Sequence, residues 1–118
     1  MTPAQEWRAT VRQGMSQAPS GDDELHAYLV REFPAASGIG RFVLAVGLLT
    51  FGHIEVVADI VAGMPPVRHP ARILARAVDA LIPTGGDVLS DPHDVAAWVA
   101  EHAAELAWNE QAGLFEPK

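Results

Sequence analysis

The feature that most constrains this chain is a run of large apolar side chains within residues 41–64, RFVLAVGLLTFGHIEVVADIVAGM. A helix that is apolar on every side is normally buried on every side, so we expect this segment to form the core on which other elements pack. Its uninterrupted apolar part lies between Arg41 and His53, well short of the roughly 18 to 20 residues that cross a bilayer. The sequence therefore predicts a buried segment and not a membrane anchor.

Residues 41–64 are compatible with one long helix, two helices or a buried hairpin of strands. Glycine tolerates positive φ, which favours a break near Phe51 and Gly52. Beyond that break, apolar residues recur at helical spacing: Ile54, Val57, Ala58, Val61 and Ala62. Valine and isoleucine also favour strands, but the flanking segments have helical patterns. We therefore predict two helices.

Two helices are predicted before the core. Thr2 and Gln5 form a capping box with Pro3 at the first helical position, and this helix runs to about Met15. Its buried stripe is Trp7, Val11 and Met15, whereas Glu6, Arg8 and Arg12 are expected to face water. In the second helix, Ser20 is the predicted N-cap with Asp23 three residues later, and Pro34 ends the helix. The buried stripe of this second helix is Leu25, Tyr28, Leu29 and Phe33.

Two more helices are predicted after the core. The fourth begins near His69 and Pro70, with arginines opposite its apolar face; that face comprises Ile73, Leu74, Ala77, Val78, Leu81 and Ile82. The last helix begins at Asp91 and Pro92. Its predicted inner stripe is Val95, Trp98, Val99, His102, Ala103 and Leu106. Leu114 and Phe115 in the tail are expected to fold back over an edge of the bundle.

The composition excludes several classes of protein. The formal net charge is −7, which argues against nucleic acid, because binding phosphates requires clustered Lys and Arg. The chain has no cysteine, which excludes disulfides and thiolate metal sites. Its first residues lack the pattern of a signal peptide, so a cytoplasmic location is the default expectation.

The charge is unevenly distributed along the chain. All seven arginines precede Ala77, whereas eight carboxylates and one lysine follow it. A basic partner would be steered towards this acidic end, although acidic side chains also serve simply to keep a protein soluble. The residues predicted to contact such a partner, all placed on the outer face of the last helix, are Asp94, Glu101, Glu105 and Trp108.

An alternative site lies in the centre of the chain, around His53, Glu55 and Asp59. Glu55 and Asp59 are one helical turn apart, and a ligand held there could be anchored by Arg72 or Arg76 of the fourth helix. A structural role, in which Arg41 or Arg72 pairs with these carboxylates, explains the pattern equally well. His102 is expected to be a hydrogen-bonded core residue, and His26 a surface residue.

The sequence contains no catalytic or metal-ligand motif, so no cofactor and no metal is predicted. We expect one all-α domain over residues 1–118, with five or six helices packed as antiparallel hairpins around the buried central hairpin. The favoured function is a non-catalytic interaction module, such as an inhibitor or immunity-type protein that binds a basic protein. The alternatives are a small-ligand-binding or hydrolytic helical enzyme near His53, Glu55 and Asp59, and a structural homodimer.

Overall fold

The computed structural model describes residues 2–15, 18–62, 76–78, 80–82 and 92–118, with the backbone alone for residues 60–62 and 92–95. Most of these residues are helical, and the last ones form a small β hairpin. The helices, in chain order, are α1 (Pro3–Gln13), α2 (Asp22–Glu32), a 3-10 turn (Phe33–Ala35), α3 (Gly38–Leu49), α4 (Val56–Ala62), α5 (Pro92–His102) and a second 3-10 turn (Ala103–Glu105). The strands are β1 (Leu106–Asn109) and β2 (Leu114–Pro117).

Helix α1 begins at the predicted capping box. The Thr2 hydroxyl accepts a hydrogen bond from the Gln5 backbone N–H at 3.2 Å, and the Gln5 side chain accepts one from the Thr2 N–H at 3.0 Å. These reciprocal bonds satisfy two of the N–H groups that a helix start leaves without partners. The prediction is confirmed, although the helix ends at Gln13, two residues earlier than expected.

The predicted cap of α2 is wrong. Gly21 is the N-cap residue, and no side chain caps the helix. Three acidic residues in its first turn, Asp22, Asp23 and Glu24, instead place negative charge where the helix dipole favours it. Leu25 and Leu29 of the predicted stripe are fully buried. The helix ends at Glu32, and Pro34 lies inside the 3-10 turn that follows.

The central apolar segment forms two helices, as predicted, and no strands. Helix α3 ends at Leu49 and α4 begins at Val56. Gly52 lies in the connection with φ +94°, a backbone conformation that costs an L-residue about 1 to 2 kcal/mol. A side chain at this position would also collide with Trp108, because a Cβ atom would lie 2.7 Å from its Cγ. Gly52 is therefore required for both the turn and the packing over it.

Helix α3 is the centre of the hydrophobic core and contacts α1, α2 and α4, while α4 contacts α5. Gly47 lets α3 approach its neighbours closely, since a Cβ atom there would lie 2.9 Å from Leu29 and 3.2 Å from Val11. The buried members of α3 are Phe42, Leu44, Ala45, Val46, Gly47, Leu48 and Leu49. This is the role that its continuous apolar sequence predicts.

The predicted fourth helix is described only near its end. Residues 76–78, 80 and 81 are helical. Ala77, Val78, Leu81 and Ile82 are buried, while Arg76 is exposed, which agrees with the predicted apolar and basic faces. The start of this helix, with Arg68 and Arg72, and the Asp91 cap of the last helix lie outside the described residues.

The all-α prediction is only partly correct, because the chain ends in an antiparallel β hairpin. Helix α5 stops at His102, so Leu106 and Trp108 lie on β1 and not on the last helix. In the hairpin, Trp108 pairs with Phe115, and their rings meet edge to face with centroids 5.0 Å apart. Gly113, with φ +67°, completes the turn by donating a hydrogen bond to the Asn109 carbonyl at 2.8 Å. The aromatic cross-strand pair and this turn favour strands over a longer helix.

The hairpin is attached to the helical part through backbone hydrogen bonds as well as side chains. The Ala4 N–H in the first turn of α1 donates to the Gly113 carbonyl at 3.0 Å. Phe115 is buried in the core with 3% exposure, as expected for a tail that covers an edge of the bundle. In the described part of the chain, no helix has both the length and the apolar character needed to span a membrane.

Two glycines of α3 give a matched test of this packing. Gly40 has open space around its Cβ position, so Gly40→Ala should stabilise the protein by about 0.5 to 1 kcal/mol through helix propensity. Gly47→Ala makes the same chemical change against buried Leu29 and should destabilise it, because overpacking costs about 1 to 3 kcal/mol. Urea unfolding of both variants measures the difference; equal effects would contradict the close contact of α3 with α1 and α2.

Candidate functional site

Arg8 is buried, with 2% of its surface exposed, although the sequence pattern placed it in water. It lies on the inner face of α1 with Ala4 and Val11, which are also buried. The guanidinium stacks on the Phe51 ring, with Cζ 3.8 Å from the ring centroid. Burial of a charge is costly unless the charge is paired and hydrogen-bonded, so its partners determine whether this position is tolerated.

The partners of Arg8 come from three other parts of the fold. Nη2 donates to the Thr50 carbonyl at 2.7 Å and to Glu110 Oε1 at 3.0 Å, and Nη1 donates to Asp22 Oδ2 at 3.2 Å. Thr50 is the C-cap of α3, where the helix dipole favours a positive charge. Arg8 therefore connects α1 to the start of α2, the end of α3 and the hairpin turn.

Asp22 is shared between two arginines. Arg12 Nη2 donates to Asp22 Oδ1 at 2.7 Å, while Arg8 binds the other oxygen. The hydrogen bond from Arg12 is the largest cause that lowers the pKa of Asp22 below its ordinary value of 3.8; partial burial opposes this, and the charge of Arg8 adds to it. The carboxylate is thus held ionised by the pair.

A second cluster lies beside the first and contains two histidines. His26 Nε2 and His53 Nε2 are 2.8 Å apart, with the rings inclined at 67°. His53 Nδ1 lies 3.2 Å from Glu55 Oε1. The His26 ring stacks on Phe51 at 4.5 Å, the same ring that carries Arg8. Phe51 thus joins the two clusters.

The histidine cluster has a defined hydrogen-bond order when both rings are neutral. Glu55 accepts a hydrogen bond from His53 Nδ1–H, so His53 Nε2 carries a lone pair and accepts a hydrogen bond from His26 Nε2–H. Burial lowers the pKa of His26 below its ordinary value of 6.5; positive charge on His53 and Arg8 lowers it further, whereas Glu110 and Asp23 raise it. In this order one N–H···N hydrogen bond joins the two rings, and His53 Nε2 provides the acceptor lone pair.

The structure divides the predicted central site. His53 and Glu55 are in contact, but Asp59 forms an ion pair at 3.3 Å with Arg41 of α3. Pairing with Arg41 is the structural role that the sequence suggested for Asp59 as an alternative to ligand binding. Arg76 is exposed and has no described contact with this group, and Arg72 lies outside the described residues. The third member of the cluster is His26, not Asp59.

The predicted partner-binding residues also lie on different elements. Glu101 is exposed near the end of α5 and Glu105 is exposed in the 3-10 turn, but Trp108 lies on β1. The Trp108 indole N–H donates to Glu110 Oε2 at 2.6 Å, and its ring covers Gly52, so it is part of the fold. Asp94 belongs to the first turn of α5, and its side chain lies outside the described residues.

Two functional candidates, Arg8 and His26, were not found from the sequence. For Arg8 a signal existed, because Ala4, Arg8 and Val11 share one face of a helix at i, i+4 and i+7. No local signal identifies His26, since its partner His53 is 27 residues away. His102, by contrast, is hydrogen-bonded through Nδ1 to the Trp98 carbonyl at 2.8 Å, as predicted, but it is half-buried and not part of the core.

Comparison with known proteins does not assign this chain to a family, because no family model, no curated protein and no solved structure matches it. Its function must therefore be inferred from its own residues.

Replacing Arg8 tests its central position. Arg8→Met should destabilise the protein by about 2 to 4 kcal/mol, because the buried Thr50 carbonyl loses its donor and Phe51 loses a stacked cation. Arg12→Met is the matched control: Arg12 also pairs with Asp22 but is 24% exposed, so its loss should cost about 1 kcal/mol or less. Urea unfolding measures both, and similar losses would contradict the special role of Arg8.

The pH dependence of stability tests the pairing of Asp22. Its pKa is lower in the folded protein than in the unfolded chain, so the unfolded chain binds more protons as the pH falls past 3.8. The contribution of Asp22 is complete above that value and should be lost progressively below it. Asp22→Asn should remove this part of the acid-induced loss in urea unfolding between pH 5 and pH 2. An unchanged pH profile in D22N would show that Asp22 does not contribute to the acid-induced loss of stability.

Proposed function

We propose that this protein is a non-catalytic interaction module that binds a basic protein through an acidic surface at its C-terminal end. The surface is formed by Glu101 of α5, Glu105 of the second 3-10 turn and Glu116 of β2. All three are exposed. The observation that carries the proposal is that these three carboxylates form no ion pair among the described residues, whereas arginines bind four others: Asp22, Glu32, Asp59 and Glu110.

Four arginines in the described N-terminal half are paired with carboxylates. Arg8 and Arg12 bind Asp22, with Arg8 also reaching Glu110; Arg31 binds Glu32, and Arg41 binds Asp59. Within the described part of the chain, Glu101, Glu105 and Glu116 form no such pairs. These carboxylates are therefore left without an arginine partner at the end of the chain where Lys118 is the one lysine or arginine after Arg76, which favours attraction of a basic partner.

The three glutamates lie on elements that are connected at the C-terminal end of the chain. The Glu105 backbone carbonyl accepts a hydrogen bond from the Lys118 N–H at 2.8 Å, and Glu116 pairs with Ala107 across the hairpin. Glu101 lies one helical turn before Glu105. The exposed residues that flank them are small, namely Ala97 and Ala100 on α5 and Ala104 in the second 3-10 turn. Small side chains leave the carboxylates accessible to the long side chains of lysine and arginine.

A charge-reversal experiment tests this proposal. Wild-type protein, E101K/E105K and the control E6K/E24K are used as baits in native host extract at low and moderate salt. Both variants change the net charge equally, and Glu6 and Glu24 are exposed on other helices. We expect a basic protein to bind the wild type and the control, to be lost with E101K/E105K, and to dissociate as the salt concentration rises.

The binding rate gives an independent measurement once that protein is purified. Reversal of Glu101 and Glu105 should lower the association rate constant more than it raises the dissociation rate, because charges at the rim of an interface act mainly by steering. Binding that is indifferent to the reversal and to salt would contradict the proposal. Recovery of only the chain itself would favour the homodimer, which sedimentation of the purified protein would then reveal.

A further inference from the structure

We propose that His26 and His53 form a binding site for a divalent transition-metal ion of the zinc, copper or nickel class. The two Nε2 atoms converge to 2.8 Å from separate parts of the fold, α2 and the turn between α3 and α4. Imidazole nitrogen is a preferred ligand of these metals. The proposal is independent of the acidic surface described above.

The ring geometry is close to that of a metal site. In tetrahedral coordination, bonds of about 2.0 to 2.1 Å to two histidines place the nitrogens about 3.3 Å apart. The rings would thus separate by about 0.5 Å to admit an ion. The His53 side chain, with 32% exposure, lies in the turn after Gly52, where the His53 N–H donates to the Leu48 carbonyl and its own carbonyl accepts from the Val56 N–H. The adjustment therefore falls on the side-chain torsions and not on the backbone. Both Nε2 atoms must present a lone pair to bind an ion, so the His26 Nε2 proton that is shared with His53 would move to His26 Nδ1 when the metal binds.

Glu55 supplies the outer contact that a histidine ligand normally has. Its carboxylate lies 3.2 Å from His53 Nδ1 and can accept a hydrogen bond from Nδ1–H, which leaves Nε2 of His53 as the ligand atom. Metal-binding histidines almost always donate their other N–H to a carboxylate, a carbonyl or water, and this contact raises the basicity of the ligand. The His53–Glu55 pair therefore has the arrangement of a ligand with its supporting carboxylate.

The remaining coordination positions would be filled by water. Among the residues that the structure describes, no group of three or more histidine, aspartate or glutamate side chains could hold a metal ion. A site with two protein ligands is open and accessible, and binds more weakly than a closed structural site. An ion held there would link α2 to the turn between α3 and α4 and would stabilise the folded state by mass action.

Zinc binding by the untagged chain tests the site. Titration with ZnCl2 in a calorimeter, with MgCl2 as the hard-cation control, should show one zinc ion bound and no magnesium. Zinc should also raise the Tm in a concentration-dependent manner. Both effects should be lost in His26→Gln and in His53→Gln, and Glu55→Gln should weaken zinc binding about 10- to 100-fold.

Three further measurements keep the result unambiguous. The chain has five histidines, so H69Q/H93Q/H102Q, which retains only His26 and His53, should bind zinc as the wild type does. Circular dichroism and the Tm in EDTA show that each variant is folded before its binding is compared. The proposal is overturned if wild-type protein binds no zinc at millimolar concentration, if folded H26Q or H53Q binds it unchanged, or if H69Q/H93Q/H102Q loses it.

Discussion

The buried guanidinium of Arg8 is the interaction on which the arrangement of this fold depends. One side chain binds the carboxylates of Asp22 and Glu110 and the carbonyl of Thr50, the C-cap of α3, and it stacks on Phe51. No apolar residue could satisfy the Thr50 carbonyl, and the hydrogen bonds to the two carboxylates fix how α1, α2 and the hairpin meet. The paired carboxylates remain partly exposed, so the charge is stabilised without complete desolvation of its partners.

Phe51 extends this arrangement to the histidine cluster. It is the second residue after α3, and its ring contacts both Arg8 and His26. The turn at Gly52 then reverses the direction of the chain, so that the His53 ring contacts the His26 ring. Trp108 packs over Gly52. A turn required by the burial of two apolar helices therefore also brings together the two imidazoles proposed to bind a metal. The acidic surface lies around the end of α5 and on the hairpin.

Local patterns predicted the features that depend on neighbouring residues in the sequence. The capping box of α1, the break at Gly52 and the buried α3 were all predictable, because capping, turn conformation and apolar periodicity act over a few residues. The hairpin was missed, because the apolar spacing of Leu106 resembled a continuing helix and the pairing of Trp108 with Phe115 is not visible in a helical pattern. The Ser20 cap failed because glycine adopts the N-cap conformation without a side-chain bond.

The sequence by itself determined the helical class, the buried central segment, the net charge and its concentration after residue 77. These follow from composition and periodicity, whatever the packing. Only the tertiary structure decided which charges are neutralised and which remain at the surface: Arg8 is buried, Asp59 pairs with Arg41, and Glu101 and Glu105 stay exposed. It also decided that His53 meets His26 and not Asp59. Such pairings join residues that are tens of positions apart in the sequence, and they form only once the helices have packed. The strength of Coulomb interactions and hydrogen bonds depends on distance in space and not on separation along the chain.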